Sequence, residues 1–269
     1  MSRQTAVDPS WSYDRVAEEY DQSRTVPQDV ARRLWQIVKA AGSLSDGSVA
    51  LDAAAGTGRF TLAAATAGLS AVAVDRSAGM LSVLRRKANQ SAVTVQCALG
   101  DVTALPLRSE TIDVVLMVHI LHLLPDPDAA LAEVQRVLVR GGMLFAAREV
   151  REEISLRDQY VTLAAGLGAT AESGSPMDAV LAHLTENGAN VERVDDGILC
   201  WRRRLSWEQA LEQLRSRSWH YQWTISSAAH DAVMAQLELW MRANEIIPEQ
   251  EWSGAAALHL WRVGWPPAI

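Results

Sequence analysis

Residues 48–149 alternate between short apolar runs and stretches in which apolar residues recur every three or four positions. Short continuous apolar runs are typical of strands buried on both faces, and the longer period is typical of amphipathic helices. Strands that alternate with helices predict an α/β fold with a doubly wound, mostly parallel sheet and right-handed crossovers. The predicted strands cover 48–51, 71–75, 93–99, 111–118 and 143–147.

Helical periodicity and turn residues predict the remaining elements of the chain. Helices are expected over 11–21, 27–41, 128–139, 152–168, 176–187, 207–217 and 227–243, and further strands over 190–194, 198–205 and 258–263. Gly141 and Gly142 are interpreted as the stop of the helix over 128–139, because glycine commonly ends helices. Ser206 and Gln209 have the spacing of a capping box.

The segment 51–60, LDAAAGTGRF, joins the first predicted strand to a helix through small residues. A turn of this kind lets a ligand lie directly against the backbone, since no side chain stands in the way. Asp75 ends the next strand, where a carboxylate accepts hydrogen bonds from a ribose diol. Asp101 follows the third strand and is placed to accept from an adenine amine. These positions predict a nucleoside-bearing cofactor at the carboxyl ends of the strands.

The composition of the turn separates two classes of cofactor. A dinucleotide site has the pattern G-x-G-x-x-G, but Thr61 stands where the third glycine is required. Asp52 lies four residues before Gly56, and a carboxylate there holds an ammonium group but repels a pyrophosphate. A cofactor with an amino-acid tail therefore fits better than a dinucleotide.

Five segments in this order and spacing resemble the motifs of class I S-adenosylmethionine-dependent methyltransferases, and most resemble the type 11 group that includes the ubiquinone and menaquinone biosynthesis enzymes. The segments are LDAAAGTGRF, AVAVDRSAGML, ALGDVTALPL, DVVLMVHILHLLPDP and VQRVLVRGGMLFAA. The opening YDRVAEEYD is similar to the N-terminal lid helix of that group. The resemblance covers roughly residues 11–149 and implies a Rossmann-like fold with S-adenosyl-L-methionine as cofactor. It departs from the family at Ala54, where glycine is usual.

The resemblance also implies roles for single residues. Tyr13 and Tyr20 would close over the cofactor, and Arg24 would meet its carboxylate. The residues expected to bind the cofactor are Tyr13, Tyr20, Arg24, Ala54, Gly56, Gly58, Asp75, Arg76, Met80, Asp101, Val102 and Val118. For the tyrosines, Arg24 and Met80, helix packing, a solvated face and core filling remain the alternative interpretations.

The family's sheet closes with an antiparallel pair, which implies a C-terminal antiparallel strand and a helical cap over the crevice. The expected organisation is N-terminal lid helices over 1–45, a cofactor-binding core over 46–150, cap insertions with one core strand near 190–205 over 151–256, and the last core strand over 257–269.

Methyl transfer needs a nucleophile held in line with the methyl group and shielded from water. His119 and His122 follow the fourth strand, at the reacting end of the crevice, and His122 is the stronger candidate for orienting or deprotonating the substrate. A backbone-bonded loop histidine is the alternative. No third ligand accompanies the two histidines, so no metal is expected.

Trp219, Tyr221 and Trp223 cluster in the predicted cap and are candidates for enclosing an apolar or aromatic substrate. The alternative is that they hold the cap helices in place. Arg202, Arg203 and Arg204 do not form one basic face, because neighbouring residues of a strand point to opposite sides.

The composition of the chain narrows the classes of molecule that it is expected to bind. The chain has 269 residues, a net charge of −7 and two cysteines, with no apolar signal core or membrane-length apolar run. The negative charge disfavours nucleic acid and anionic membranes, so a small-molecule substrate is expected. Two cysteines without metal or disulfide spacing favour a reducing cytoplasm. A monomer or a homodimer is expected.

The sequence therefore predicts a methyltransferase that acts on a nitrogen, oxygen or carbon of a small molecule by in-line displacement in a capped pocket. Two alternatives remain. One is a non-catalytic protein of the same fold that binds the cofactor, and the other is an NAD(P)-dependent oxidoreductase, against which Thr61 and Asp101 argue.

Overall fold

The computed structural model describes residues 13–23, 26–151, 156–169, 177–195 and 197–266. The helices are α1 Tyr13–Val16, α2 Tyr20–Ser23, α3 Gln28–Ala41, α4 Arg59–Thr66, α5 Ala78–Gln90, α6 Pro127–Val137, α7 Leu156–Gly166, α8 Met177–Glu186, α9 Trp207–Arg215 and α10 Ser227–Ala243. Short 3₁₀ helices cover Leu121–Leu123 and His220–Gln222. The strands are β1 Val49–Ala53, β2 Ser70–Asp75, β3 Val95–Leu99, β4 Ile112–Val118, β5 Leu138–Arg151, β6 Asn190–Arg193, β7 Cys200–Ser206 and β8 Glu251–Gly264.

The strands form one sheet in the order β3-β2-β1-β4-β5-β8-β6, with β7 paired to β8. The pairs from β3 to β5 are parallel, and β6 pairs with β8 in antiparallel fashion. Reversal of strand order between β1 and β4 opens a crevice at the carboxyl ends of the strands. This arrangement confirms the predicted α/β, Rossmann-like fold with a C-terminal antiparallel strand.

The central strands are buried on both faces, which explains their continuous apolar runs. Along β4, Val115 and Met117 lie in one apolar cluster with α6 and α8, whereas Val114 and Leu116 lie in another with α3 and α4. Such two-sided burial removes each strand from water and fixes its register, since a slip of one residue would exchange the two faces.

The chain divides into two compact units. The larger comprises the described residues of 13–150, 174–201 and 257–269, and the smaller comprises those of 151–173 and 202–256. The smaller unit has its own apolar cluster, in which Tyr160 of α7 packs with α9, α10 and the loop from Trp219 to Ile225. Helix α8, which the sequence analysis grouped with the cap, belongs to the larger unit and packs in its core.

Strand β8 begins at Glu251, earlier than the strand predicted over 258–263 and within the range assigned to the cap. Two other predicted elements differ in kind from the structure. Helix α6 ends at Val137 and β5 begins at once, so Gly141 and Gly142 lie inside a strand and do not stop the helix. They lie where the register between β4 and β5 shifts, and a Cβ on Gly142 would approach the Asp113 carbonyl to 3.0 Å. Glycine here permits an irregularity and a close backbone approach.

The helix predicted over 11–21 is also wrong, because in its described part the chain forms two short helices. A turn separates α1 from α2, and in it the Glu19 N–H donates to the Val16 carbonyl.

Candidate functional site

The turn after β1 is built from residues with left-handed backbone. Ala54, Gly56 and Gly58 have φ values of +66°, +55° and +80°. The N–H groups of Ala54 and Ala55 both donate to the Val74 carbonyl at the end of β2, at 2.8 and 3.0 Å. The turn is therefore held against the neighbouring strand by its own backbone.

The two glycines of this turn are needed for different reasons. A Cβ on Gly58 would lie 2.0 Å from Leu84 of α5, so the absence of a side chain there permits close packing. Among the described residues, a Cβ on Gly56 would have one neighbour within 4 Å, the Tyr20 ring at 3.9 Å. The space beside Gly56 is thus open to a ligand that approaches the backbone.

Asp75 is fixed at the end of β2 by two backbone donors. The Gly56 N–H donates to its Oδ2 at 2.7 Å, and the Ser77 N–H donates to its Oδ1 at 2.9 Å. Burial raises the pKa of Asp75 even though both hydrogen bonds favour the charged form. Each carboxylate oxygen has a second lone pair, so Asp75 retains capacity to accept from a ligand.

Asp52 lies beneath the same turn and is only 3% exposed. The Thr61 hydroxyl donates to its Oδ2 at 2.6 Å. Burial raises the pKa of Asp52 to about 6, and the charge of Asp75 adds to the rise. Thr61, which replaces the third glycine of a dinucleotide motif, thus holds a buried acid.

Asp101 follows β3 and is exposed. Its Oδ1 accepts from the backbone N–H and the hydroxyl of Thr103, at 2.8 and 2.7 Å. These bonds lower the pKa of Asp101, and the Arg76 guanidinium lowers it further. The Arg76 charge also favours the charged form of Asp75, so it acts on the acids at two neighbouring strand ends. The adjacent Val102 is buried.

The N-terminal helices contact this turn through aromatic rings. The rings of Tyr13 and Tyr20 meet edge to face with centroids 6.3 Å apart. The Arg76 guanidinium lies 5.9 Å from the Tyr13 ring, and the Arg59 guanidinium lies 5.7 Å from the Tyr20 ring. Both tyrosines pack against an apolar cluster that contains the buried Met80 of α5.

Carboxylates bind the same helices to the rest of the larger unit. Asp14 Oδ1 accepts from the Ser77 hydroxyl at 2.7 Å and from the Gly79 N–H at 2.6 Å. Asp21 accepts from the Thr57 hydroxyl and from the Lys87 ammonium, both at 2.5 Å. The two acids therefore tie α1 and α2 to the start of α5 and to the glycine turn.

His119 and His122 follow β4, whose last residue is the half-buried Val118. His119 has a left-handed φ of +58°, and its Nε2 accepts from the Glu149 N–H at 2.9 Å. Its ring lies 5.9 Å from the ring of His122, which belongs to the 3₁₀ helix Leu121–Leu123. The two rings lie next to each other, but the Nε2 of His119 already accepts a hydrogen bond from a backbone N–H.

The remaining candidates belong to the smaller unit or lie outside the described residues. Trp219, Tyr221 and Trp223 are buried in the smaller unit, where Trp219 and Tyr221 belong to its apolar cluster and the Trp223 Nε1–H donates to the Arg217 carbonyl at 2.7 Å. Arg24 lies outside the described residues.

Among the described residues, no group of three or more His, Cys, Asp or Glu side chains is arranged to hold a metal ion. No helix in that part of the chain is long and apolar enough to cross a membrane.

Sequence reasoning missed the structural roles of Asp14, Asp21 and Thr61. The two acids stand within the quoted segment YDRVAEEYD, but nothing in their spacing identifies their partners on α5 and the turn. Thr61 was weighed only as an absent glycine. Its spacing of nine residues from Asp52 brings the hydroxyl of a helix over the acid of a strand, a contact that depends on the tertiary fold.

Comparison with known proteins agrees with this geometry. A family model described as a methyltransferase domain matches residues 51–146. A demethylmenaquinone methyltransferase from Renibacterium salmoninarum is 38% identical over 137 residues, which are 50% of this chain and 56% of that protein. A protein of the same name from Mycobacterium sp. strain JLS is 33% identical over 169 residues, 61% of this chain and 71% of that protein. The chain thus spans little more than half the length of the first of these relatives.

A solved structure described as the [4+2]-cyclase SpnF superposes with a TM-score of 0.55 at 18% identity. The match covers 98% of this chain and all of that one. At this level of identity the match supports the fold alone.

Proposed function

Because the chain belongs to the class I S-adenosylmethionine-dependent methyltransferases, type 11 group, we propose that it transfers a methyl group from S-adenosyl-L-methionine to a small-molecule acceptor. The net charge of −7 supports a small molecule over a nucleic acid as acceptor. The names of the relatives support demethylmenaquinone as the first acceptor to try. The two free cysteines, Cys97 and Cys200, support a reducing cytoplasm as its location.

The observation that carries the proposal is the pair of acids around the turn at 54–58. Burial raises the pKa of both Asp52 and Asp75 because it disfavours their charged forms, and the charge of Asp75 raises the pKa of Asp52 further. A positively charged ligand relieves both effects, whereas a pyrophosphate adds to the repulsion. S-adenosylmethionine carries a sulfonium and an ammonium group, so the residues fit this cofactor better than a dinucleotide.

When bound, S-adenosylmethionine supplies an electrophilic methyl group on its sulfonium. On our proposal Asp75 holds the ribose diol, Asp101 accepts from the adenine amine, and Asp52 attracts the ammonium group. The backbone of 54–58 receives the amino-acid tail. The side chains proposed to line the rest of the cofactor site are Tyr13, Tyr20, Arg76, Met80, Val102 and Val118.

His122 is the proposed residue for orienting or deprotonating the acceptor. His119 is the weaker candidate, because its Nε2 already accepts from the Glu149 N–H and is not available as a base. We propose that His119 helps to position the ring of His122, 5.9 Å away. Trp219, Tyr221 and Trp223 remain proposed substrate contacts, although their burial leaves little of each ring exposed.

A protein that binds the cofactor without transferring its methyl group is the second candidate. It is favoured by one observation, the alanine at position 54 in the glycine turn, where the family usually has glycine. Product analysis separates the two functions, because only transfer converts S-adenosylmethionine into S-adenosylhomocysteine.

The cofactor site is tested by titrating S-adenosylhomocysteine into wild-type protein and into Asp75→Ala in a calorimeter. We expect affinity to fall by about 10- to 100-fold, since a hydrogen bond to a charged group contributes about 1.5–3 kcal/mol. Asp46→Ala, which removes an exposed acid near Lys39, is the matched control and should bind normally. Equal affinity of wild type and Asp75→Ala would remove the ribose assignment.

Transfer is tested by release of S-adenosylhomocysteine with demethylmenaquinone and related quinols as acceptors. His122→Gln should slow turnover by about 10²-fold or more while cofactor affinity is unchanged, because general-base catalysis contributes about that much. His183→Gln, at an exposed histidine on α8, serves as the control. Unchanged turnover in His122→Gln contradicts its proposed role, and cofactor binding without product for any acceptor favours the second candidate.

A further inference from the structure

Thr57, the central residue of the glycine turn, is held by side chains that come from outside the turn. It is 1% exposed and stands between Gly56 and Gly58, both of which have left-handed backbone. Its hydroxyl donates to Asp21 Oδ1 of α2 at 2.5 Å, and its carbonyl accepts from Lys87 Nζ of α5 at 3.0 Å. The turn is thus fixed at one side chain and at one backbone group by two different helices.

Asp21 and Lys87 also bind each other. The Lys87 ammonium donates to Asp21 Oδ2 at 2.5 Å, so the two side chains and Thr57 form a closed ring of three contacts. The side chains of Lys87 and Asp21 are only 26% and 36% exposed. Salt screens a partly buried pair less than an exposed one, and the ammonium orients the carboxylate that accepts from the Thr57 hydroxyl. We call these three residues the Thr57 clamp.

The Thr57 clamp lies between two close contacts of the turn. On one side of Thr57, the Gly56 N–H donates to Asp75 Oδ2 at 2.7 Å. On the other side, Gly58 lies so close to Leu84 of α5 that a Cβ there would approach it to 2.0 Å. Because glycine has wide conformational freedom, the two glycines do not fix the turn by themselves. The Thr57 clamp supplies this restraint at the residue next to the Asp75 contact.

A second ion pair joins the same two parts of the chain. Glu18 pairs with Arg86, the residue before Lys87 on α5, at 2.6 Å, and both side chains are exposed. In the part of the chain that the structure describes, these two side chains hydrogen-bond each other and no group of the turn. Both pairs therefore attach the N-terminal segment to α5, but only the pair of Asp21 and Lys87 reaches the turn.

We propose that Asp21 and Lys87 are positioning residues of the cofactor site, which act through Thr57 and do not themselves contact the cofactor. They hold the turn at 54–58 in the form that receives the amino-acid tail, and they keep the Gly56 N–H on Asp75. The inference rests on the proposed function, because it takes S-adenosylmethionine to be the ligand of this turn. If the Thr57 clamp strengthens cofactor binding, bound cofactor must strengthen the attachment of α2 to the turn by the same factor.

Calorimetric titration of S-adenosylhomocysteine into the full chain tests this assignment. Thr57→Val keeps the shape of the side chain but removes the hydroxyl, and we expect binding at least about tenfold weaker, since the charge-assisted hydrogen bond to Asp21 is lost. Asp21→Asn should weaken binding comparably. Thr57→Ser, which keeps the hydroxyl, should recover most of the affinity. Glu18→Gln is the matched control and should bind within about twofold of wild type, because exposed ion pairs contribute little.

Amide hydrogen exchange gives a second readout, which a merely structural attachment of α2 would not move. In wild type, S-adenosylhomocysteine should slow exchange in residues 20–23 as well as in the turn. In Thr57→Val it should slow exchange in the turn alone. Without ligand, Asp21→Asn should speed exchange in the turn while β1 and β4 stay protected.

Equal weakening by Asp21→Asn and Glu18→Gln would overturn the proposal, because general attachment of the N-terminal segment would then explain both. Wild-type affinity in Thr57→Val would overturn it as well. If circular dichroism shows that Thr57→Val does not fold, the comparison of Asp21→Asn with Glu18→Gln decides. Failure of wild type to bind S-adenosylhomocysteine would remove the proposed function and this inference together, whereas normal binding by wild type and by all variants would remove this inference alone.

Discussion

At the scale of single residues, Ala54 is the most informative departure from the family pattern. Its φ of +66° lies in the left-handed region, which costs an L-residue about 1–2 kcal/mol relative to glycine. The turn is held in this conformation by the hydrogen bonds of Ala54 and Ala55 to the Val74 carbonyl. The chain therefore retains the conformation typical of glycine while keeping a methyl group at the site.

Ala54→Gly should relieve this strain and raise the free energy of unfolding by about 1 kcal/mol. Ala55→Gly is the matched control, because Ala55 is not among the residues with positive φ and glycine there should lower stability by about 0.5–1 kcal/mol. Chemical denaturation of the two variants gives the comparison. The strain argument is wrong if Ala54→Gly is no more stable than Ala55→Gly.

At the scale of elements, prediction from the sequence was most accurate for the strands that are buried on both faces. Strands β1, β2 and β4 are buried on both faces, so their apolar runs were recognisable without tertiary information. The helix stop predicted at Gly141 and Gly142 was wrong, because glycine permits an irregularity in a strand as readily as it ends a helix. It also missed that Arg203 of β7 is buried while Arg202 and Arg204 are exposed, because strand alternation predicts that neighbours differ but not which of them is buried.

A second feature at the scale of elements is the way in which the N-terminal helix α1 is attached to α5. Asp14 accepts from the Ser77 hydroxyl and the Gly79 N–H at the start of α5, where the helix dipole favours a negative charge. Both hydrogen bonds lower the pKa of Asp14. The short helix α1 has no buried residue, so this carboxylate contributes much of its attachment.

Asp14→Asn should therefore loosen residues 13–23 without unfolding the sheet. Amide hydrogen exchange should show faster exchange in that segment and unchanged protection in β1 and β4. Glu18→Gln is the control, since its ion pair with Arg86 is exposed and exposed pairs contribute little to stability. Exchange that accelerates equally in both variants would contradict a special role for Asp14.

At the scale of the whole molecule, Asp52 makes global stability depend on pH. Its pKa of about 6 in the folded state lies above its ordinary value of 3.8, so the folded state binds the proton more tightly. The stabilisation that this provides is fully present below about pH 4 and is lost as the pH rises through 6. A buried shift of this size corresponds to about 3 kcal/mol.

Asp52→Asn removes this titration. We expect the stability of the variant relative to wild type to increase by about 3 kcal/mol between pH 4 and pH 7, as measured by urea unfolding at both pH values. Asp46→Asn should change in the opposite direction, because Lys39 lowers the pKa of that exposed carboxyl. A difference between Asp52→Asn and wild type that stays constant with pH would show that Asp52 has its ordinary pKa.

The burial of Asp52 beneath the glycine turn has a consequence for the thermodynamics of binding. Near pH 6 about half of the unliganded molecules carry a proton on this carboxyl, and a cation nearby favours its release. Binding a cationic nucleoside would then transfer a fraction of a proton to the buffer. The apparent binding enthalpy would consequently depend on the ionisation enthalpy of the buffer near pH 6 and become independent of it in alkaline solution.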